Sequence, residues 1–276
     1  MGIPSIRSPA VAGLFYPAEP AVLQGQVAEL LARAATAAER VAPPKALIVP
    51  HAGYVYSGPI AATAFAQLEP LRARIRRVVL LGPAHRVPVR GLALPAAQAF
   101  RTPLGEVPLH LESWRMLREL ETVEISDIAH AQEHCLEVQL PFLQLVLERF
   151  ELVPLLVGGA RPETVEAVIE SLWGGDETLI VISSDLSHYH PYARANQLDR
   201  RTVDDILALH PTIQPEHACG AYPINGFLRV AAARGLKPHL LELRNSGDTA
   251  GDRSAVVGYT SIAFCEEKPG ERPLRH

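Results

Sequence analysis

Four nearly uninterrupted apolar runs, each closed by a glycine-containing or polar loop, set the strongest limit on how this chain can fold. They are Ala46-Leu-Ile-Val-Pro50, Arg77-Val-Val-Leu-Leu81, Glu151 to Val157 and Thr178 to Ser183. A strand with no alternating polar residue has to be covered on both faces, the condition met in open parallel sheets flanked by helices. Segments with helical spacing surround and separate the runs: Ala21 to Arg40, closed by Pro43 and Pro44, then Pro59 to Leu68, Ala131 to Phe150, Arg161 to Leu172, Tyr192 to Leu209 and Pro223 to Ala233. Two β-rich segments follow, Pro238 to Leu243 and Ala255 to Phe264, joined by the polar loop Asn245 to Asp252. The alternation predicts an α/β fold, a three-layer αβα sandwich with a mainly parallel central sheet. No linker divides it, so residues 1–265 read as one domain and 266–276 as a flexible C-terminal tail.

Composition narrows the function. With 276 residues, 48% of them hydrophobic and 20% charged, the chain can bury a sizeable core. The 26 basic and 30 acidic side chains give a net charge of −4, without a block of like charge that would make a nucleic-acid arm. No apolar run reaches the roughly 18 to 20 residues of a spanning helix, and the first thirty residues carry charges and prolines where a signal peptide has an apolar centre. A cytoplasmic protein is expected, with nucleic acid and membrane excluded as partners. The three cysteines, Cys135, Cys219 and Cys265, are too few and too odd for a disulfide framework and read as free thiols.

In open parallel sheets ligands bind beyond the carboxyl ends of the strands, where loops from several strands converge. That rule selects His51, His85, and Asp185 with His188. Neutral imidazole is the commonest metal-binding side chain, although a loop histidine bonded to a nearby carbonyl explains each position equally well alone. Asp185 and His188 are three apart, so a carboxylate can orient an imidazole; Ser184 and Asp185 also fit as caps of a helix following a strand. Glu133, His134 and Glu137 open the helical segment 131–150, where His134 and Glu137 share a face suited to a proton relay or to solvent. Cys219 precedes Gly220 and a helix start that would favour thiolate, whereas Cys135 and Cys265 read as packing residues. No GxGxxG, GxxxxGK[ST] or GxSxG motif is present to support a dinucleotide enzyme, a P-loop NTPase or an α/β-hydrolase.

Several ordered blocks resemble the MEMO proteins, known in bacteria and archaea as AmmeMemoRadiSam system protein B. The matching stretches are Ala12 to Pro17, Pro50 to Gly58, Leu81 to His85, Glu133 to Phe142, Ser183 to His188, Cys219-Gly220 with Pro223-Ile224, and Asn245 to Asp248. The resemblance implies a LigB-like fold, similar to class III extradiol dioxygenases, which hold non-haem Fe(II) with two histidines and a glutamate. Carried over by motif, it implies His51, His85 and Cys219 as metal ligands, His188 moving a proton with its tautomer set by Asp185, and His134 nearby. A thiolate in place of the carboxylate softens the donor set, favouring Fe(II), Cu or Zn over Mg, Ca or Mn, and the resemblance implies Fe(II) first, with Cu or Zn as alternatives. It further implies either a dioxygenase-like oxidoreductase acting on a small molecule, or a non-catalytic metal- or peptide-binding scaffold working with AMMECR-type and radical-SAM proteins.

Overall fold

The computed structural model describes residues 5–37 and 40–266; of the expected tail, residues 267–276 lie outside the described residues. The strands in chain order are β1 (Ile6–Arg7), β2 (Pro44–Val49), β3 (Arg77–Pro83), β4 (Leu92–Leu94), β5 (Ala99–Thr102), β6 (Gly105–Pro108), β7 (Val123–Ile125), β8 (Glu151–Val157), β9 (Thr178–Ser183), β10 (His188–His190), β11 (Lys237–Asn245) and β12 (Val256–Cys265). The helices are α1 (Pro20–Ala37), α2 (Tyr54–Phe65), α3 (Leu111–Leu117), α4 (Asp127–Ala131), α5 (Leu140–Val146), α6 (Pro162–Leu172), α7 (Tyr192–Leu207) and α8 (Ala221–Ala233). None of the described helices is long and apolar enough to cross a membrane.

The apolar runs form the centre of a mixed sheet ordered β10-β12-β2-β9-β3-β8-β4-β7, with β11 also paired to β12. The four central strands β2, β9, β3 and β8 run parallel, and β4 with β7 adds another parallel pair. The pairs β12–β2, β11–β12, β10–β12 and β4–β8 are antiparallel, so parallel pairing holds in the centre and not across the sheet. The β12 flank reverses because β11 and β12 return directly on each other, with no crossover helix between them. A separate small sheet joins β1, β5 and β6.

Alternate residues of the central strands enter two different cores. Leu47, Val49, Val78, Leu80, Leu179 and Val181 pack with side chains of α1, α2 and α5. Their neighbours Ala46, Ile48, Val79, Leu81, Ile180 and Ile182 pack with α6, α7 and α8. Helices therefore cover both faces, which is why these strands carry no polar alternation. In register, Val49 lies beside Ser183 and Leu81 beside Ile182, so the chains leaving β2, β9 and β3 emerge level at one edge.

Three local readings are corrected. Helix α2 begins at Tyr54, not Pro59; Pro59 sits inside it, its missing N–H outweighed by burial of Tyr54, Ser57, Gly58 and Ile60 to Phe65. The segment 131–150 is not one helix: α4 stops at Ala131, a 3₁₀ turn covers Glu137–Gln139, and α5 starts at Leu140. The cause is Glu133, whose Oε1 accepts the N–H groups of His134 and Cys135 at 2.9 and 3.1 Å and competes with helical bonding. Ser184 and Asp185 cap no helix, since β10 follows them.

Below the opposite end of the sheet, Lys45 Nζ donates to the carbonyls of Trp173, Gly175 and Thr178 at 2.9, 2.7 and 2.8 Å. Lys45→Met keeps the apolar stem but strands three acceptors, so a loss of about 3 kcal/mol is expected in denaturant unfolding. An unchanged midpoint would show that these bonds contribute nothing net.

Candidate metal centre

The chain leaving β2 carries His51, the chain leaving β3 carries His85, and the irregular stretch after α4 carries His134. Their rings meet: centroids lie 5.2 Å apart for His51 and His85, 5.5 Å for His51 and His134, and 5.0 Å for His85 and His134. One ligating atom from each falls within 4.8 Å of the other two. Gly82 permits this approach, because a Cβ there would stand 2.6 Å from Cys135 Sγ and push the His134 segment off β3.

Each ring is held from behind by a different partner. Glu133 Oε1 lies 2.9 Å from His85 Nδ1, and its Oε2 accepts the His85 backbone N–H at 2.6 Å. Burial alone would raise the Glu133 pKa, but the hydrogen bonds from the His85 ring and backbone hold it well below the usual carboxylate range. Ser183 Oγ sits 2.8 Å from His51 Nδ1. His134 Nδ1 lies 3.3 Å from Glu133 Oε1 without a hydrogen bond among the described residues, and its ring packs on Phe15 at 4.9 Å. Burial, then the neighbouring imidazoles, pushes His51 well below the ordinary histidine range. The same causes bring His134 down to about 4. Both rings are thus neutral at pH 7 and offer lone pairs, the state in which imidazole binds metal.

Cys219 precedes α8 and brings its Sγ to 3.2 Å from His51 Nε2. Tetrahedral ligands at the usual nitrogen and sulfur bond lengths of about 2.0 and 2.3 Å would stand about 3.5 Å apart, so this spacing suits two donors to one ion. Burial, then the Asp185 carboxylate, pushes the Cys219 thiol far up, and its Sγ accepts the Asp185 backbone N–H at 3.3 Å. Asp185 Oδ1 in turn accepts the His51 backbone N–H at 2.7 Å. The carboxylate therefore braces His51, whereas the sequence reading assigned it to the His188 ring. Burial raises the Asp185 pKa.

All three imidazoles, Asp185 and His188 line one cavity of about 680 Å³, walled further by Phe15, Tyr56, Tyr189 and Tyr259. His188 lies in β10 opposite Val257. The next residue, Tyr189, takes the left-handed φ of 61° and is 76% exposed at the rim. The sequence reading thus picked out the histidines and named Glu133 only as part of a helix start; it gave neither the hold of Glu133 on His85, nor the Ser183 support, nor the Phe15 wall.

A family model described as Memo-like protein matches residues 7–263. The chain belongs to the Memo family. A MEMO1 family protein of Sulfolobus acidocaldarius is 35% identical over 282 residues, covering 94% of this chain and 99% of its own. Another, of Archaeoglobus fulgidus, is 36% identical over 274 residues with coverage of 94% and 99%. The crystal structure of an uncharacterized protein from Escherichia coli K12 is similar with a TM-score of 0.54 at 15% identity, covering 79% of this chain and 99% of that one, a likeness of fold alone.

In this Memo chain the segment from Asp185 to the start of β10 at His188 is clamped at Ser187. The Ser187 N–H donates to Asp199 Oδ1 at 3.0 Å, and the Ser187 carbonyl accepts the Gly258 N–H at 2.9 Å. Burial raises the Asp199 pKa to about 6, against 3.8 in an unstructured chain. A raised carboxyl pKa contributes stability that is fully present below about 4 and is lost as pH climbs through about 6. Asp199→Asn removes this dependence. From pH 4 to pH 8 the difference in unfolding free energy between variant and wild type should move in favour of the variant by at most about 3 kcal/mol, measured by urea unfolding. A constant difference across that range would contradict the assignment.

Proposed function

We propose that this Memo-family protein binds a transition-metal ion at the edge of its sheet, with His51 and His85 as the fixed pair and His134 and Cys219 completing the donor set. The observation that carries the reading is the convergence of three imidazole donor atoms within 4.8 Å, from segments far apart in sequence. The donor chemistry of imidazole and sulfur suits Fe(II), Cu or Zn over Mg, Ca or Mn, and the resemblance to iron-dependent dioxygenases puts Fe(II) first. Such an ion supplies Lewis acidity and, for iron or copper, one-electron chemistry toward a small molecule held in the cavity.

The chain's own residues then have distinct tasks. Glu133 and Ser183 hold the His85 and His51 rings by their Nδ1 atoms, leaving Nε2 for the ion. Asp185 anchors the His51 backbone. His188, at the cavity wall, is placed to accept or return a proton. Phe15, Tyr56 and Tyr259 give the cavity aromatic walls. On this reading the protein is a LigB-like, dioxygenase-type oxidoreductase of the cytoplasm. The test is elemental analysis of protein purified without oxygen, followed by O2 consumption with catechol-like or heterocyclic compounds after iron loading. Stoichiometric iron together with substrate-dependent uptake supports it, and absence of metal under all loading conditions refutes it.

A non-catalytic scaffold is favoured by one separate observation, the apolar rim. Leu14, Val55 and Tyr189 line the cavity mouth while 80%, 60% and 76% exposed, a surface that suits a peptide. Tight metal binding without oxygen uptake, together with co-purification of AMMECR-type or radical-SAM proteins, would select this reading.

A further inference from the structure

We infer that Ser183 and Gln139 are positioning residues that lock His51 in the tautomer protonated on Nδ1, so that a bare Nε2 always faces the metal centre. The inference deepens the metal reading, but the location of the proton is a property of the metal-free protein.

The argument is a count of protons along a buried chain of hydrogen bonds. His51, Ser183, Gln139 and Cys135 are each no more than 2% exposed, so water does not compete. Two backbone carbonyls fix the polarity, because a carbonyl can only accept. The Pro50 carbonyl is 2.9 Å from the Gln139 amide, which must therefore turn its Nε2 toward it, and that same nitrogen donates to Ser183 Oγ at 2.9 Å. The Cys135 carbonyl is 2.7 Å from Ser183 Oγ and takes the only proton the hydroxyl has. Ser183 thus gives one bond, receives one from Gln139, and has a lone pair left. His51 Nδ1, at 2.8 Å, can use that lone pair only by carrying a hydrogen.

Two further features agree. Among the described residues Gln139 Oε1 is buried without a hydrogen-bond partner, a cost accepted with the amide in this orientation, since flipping it would set oxygen against the Pro50 carbonyl. On the other side of the ring, Cys219 Sγ lies 3.2 Å from Nε2, where a neutral thiol can donate to a bare nitrogen until an ion replaces its proton. The two fixed histidines are thereby set by different means. His85 leans on the Glu133 carboxylate, whereas His51 leans on a neutral hydroxyl whose direction is dictated two bonds away.

The experiment is ¹⁵N NMR of the imidazole nitrogens in metal-free, histidine-labelled protein, with the His51 resonances assigned by their loss in His51→Gln. The expected spectrum places Nδ1 in the protonated, pyrrole-type range and Nε2 in the unprotonated, pyridine-type range. In Ser183→Ala the two resonances should move toward each other as both tautomers become populated, and metal affinity should fall about 10- to 100-fold. Gln139→Met should shift them in the same direction by less. If the wild-type proton is on Nε2, or if neither variant moves the resonances, the inference is overturned. Should Ser183→Ala fail to fold, the wild-type spectrum and Gln139→Met still decide. The expected tautomer in a protein that binds no metal would leave this inference standing and remove the metal reading; the opposite tautomer in a protein that does bind metal would do the reverse.

Discussion

His51→Ala is expected to lose its bound ion while keeping its fold. Removing an outer partner of a metal-bound histidine costs about 10- to 100-fold in affinity, so deleting the ligand itself should cost more than about 100-fold. His51 stands both in the cluster of three imidazoles and, by its Nε2, 3.2 Å from the Cys219 sulfur, so its loss removes the side chain that links the two parts of the proposed donor set. The stability cost is smaller. The ring is buried, and its loss leaves the Ser183 lone pair without a donor, a deficit of about 1 to 3 kcal/mol in a sheet otherwise untouched. Metal content by elemental analysis and folding by circular dichroism separate the two effects. Undiminished stoichiometric metal in a folded His51→Ala protein would sink the proposal. Cys219→Ser should instead retain metal with a changed preference, copper and zinc losing ground to harder ions because a thiolate has become a hydroxyl.

His51, His85, Asp185 and His188 were legible because each follows an apolar run in the same stretch of chain, and the strand-end rule needs only local sequence. The supports were not legible, for a physical reason. Glu133 stands in a segment whose apolar spacing reads as helix, and only in three dimensions does its carboxylate gather the N–H groups of His85, His134 and Cys135. Ser183 reads as the last residue of a strand, and its role depends on Gln139, 44 positions away. The same holds for the fold. Long central strands show in the sequence, whereas β1, β4, β5, β6 and β7 have two to four residues each and carry too short a pattern for periodicity to register. The antiparallel flank formed by β11 and β12 was visible as two β-rich segments, but their direction depends on pairing that no local pattern encodes.

Glu137→Gln should destabilise the protein by about 3 to 5 kcal/mol, the usual result of leaving a buried charge without its partner. Glu137 is fully buried, and its carboxylate receives the Arg7 guanidinium, the Tyr16 hydroxyl and the backbone N–H groups of Ala10 and Val11, the last two at 2.7 and 3.0 Å. Four donors converge on two oxygens, two on each, so whichever way an amide turns, its NH2 faces two donors and both bonds are lost. Arg7 also donates to the carbonyls of His130 and Glu133, which makes this cluster the tie between the N-terminal segment and the loop that bears His134. At roughly 2 to 4 °C per kcal/mol for chains near this size, the melting temperature should drop by about 6 to 20 °C. The effect should reach the metal site, because the same segment carries Phe15, which packs on the His134 ring and whose carbonyl accepts the Tyr54 N–H at 2.8 Å. A double-mutant cycle with Arg7→Met separates the pair from its surroundings: coupling well above 1 kcal/mol is expected, since the second substitution removes the charge that the first strands. Additive losses would mean that Arg7 and Glu137 act independently, and that the N-terminal segment is held against the site by its apolar contacts instead.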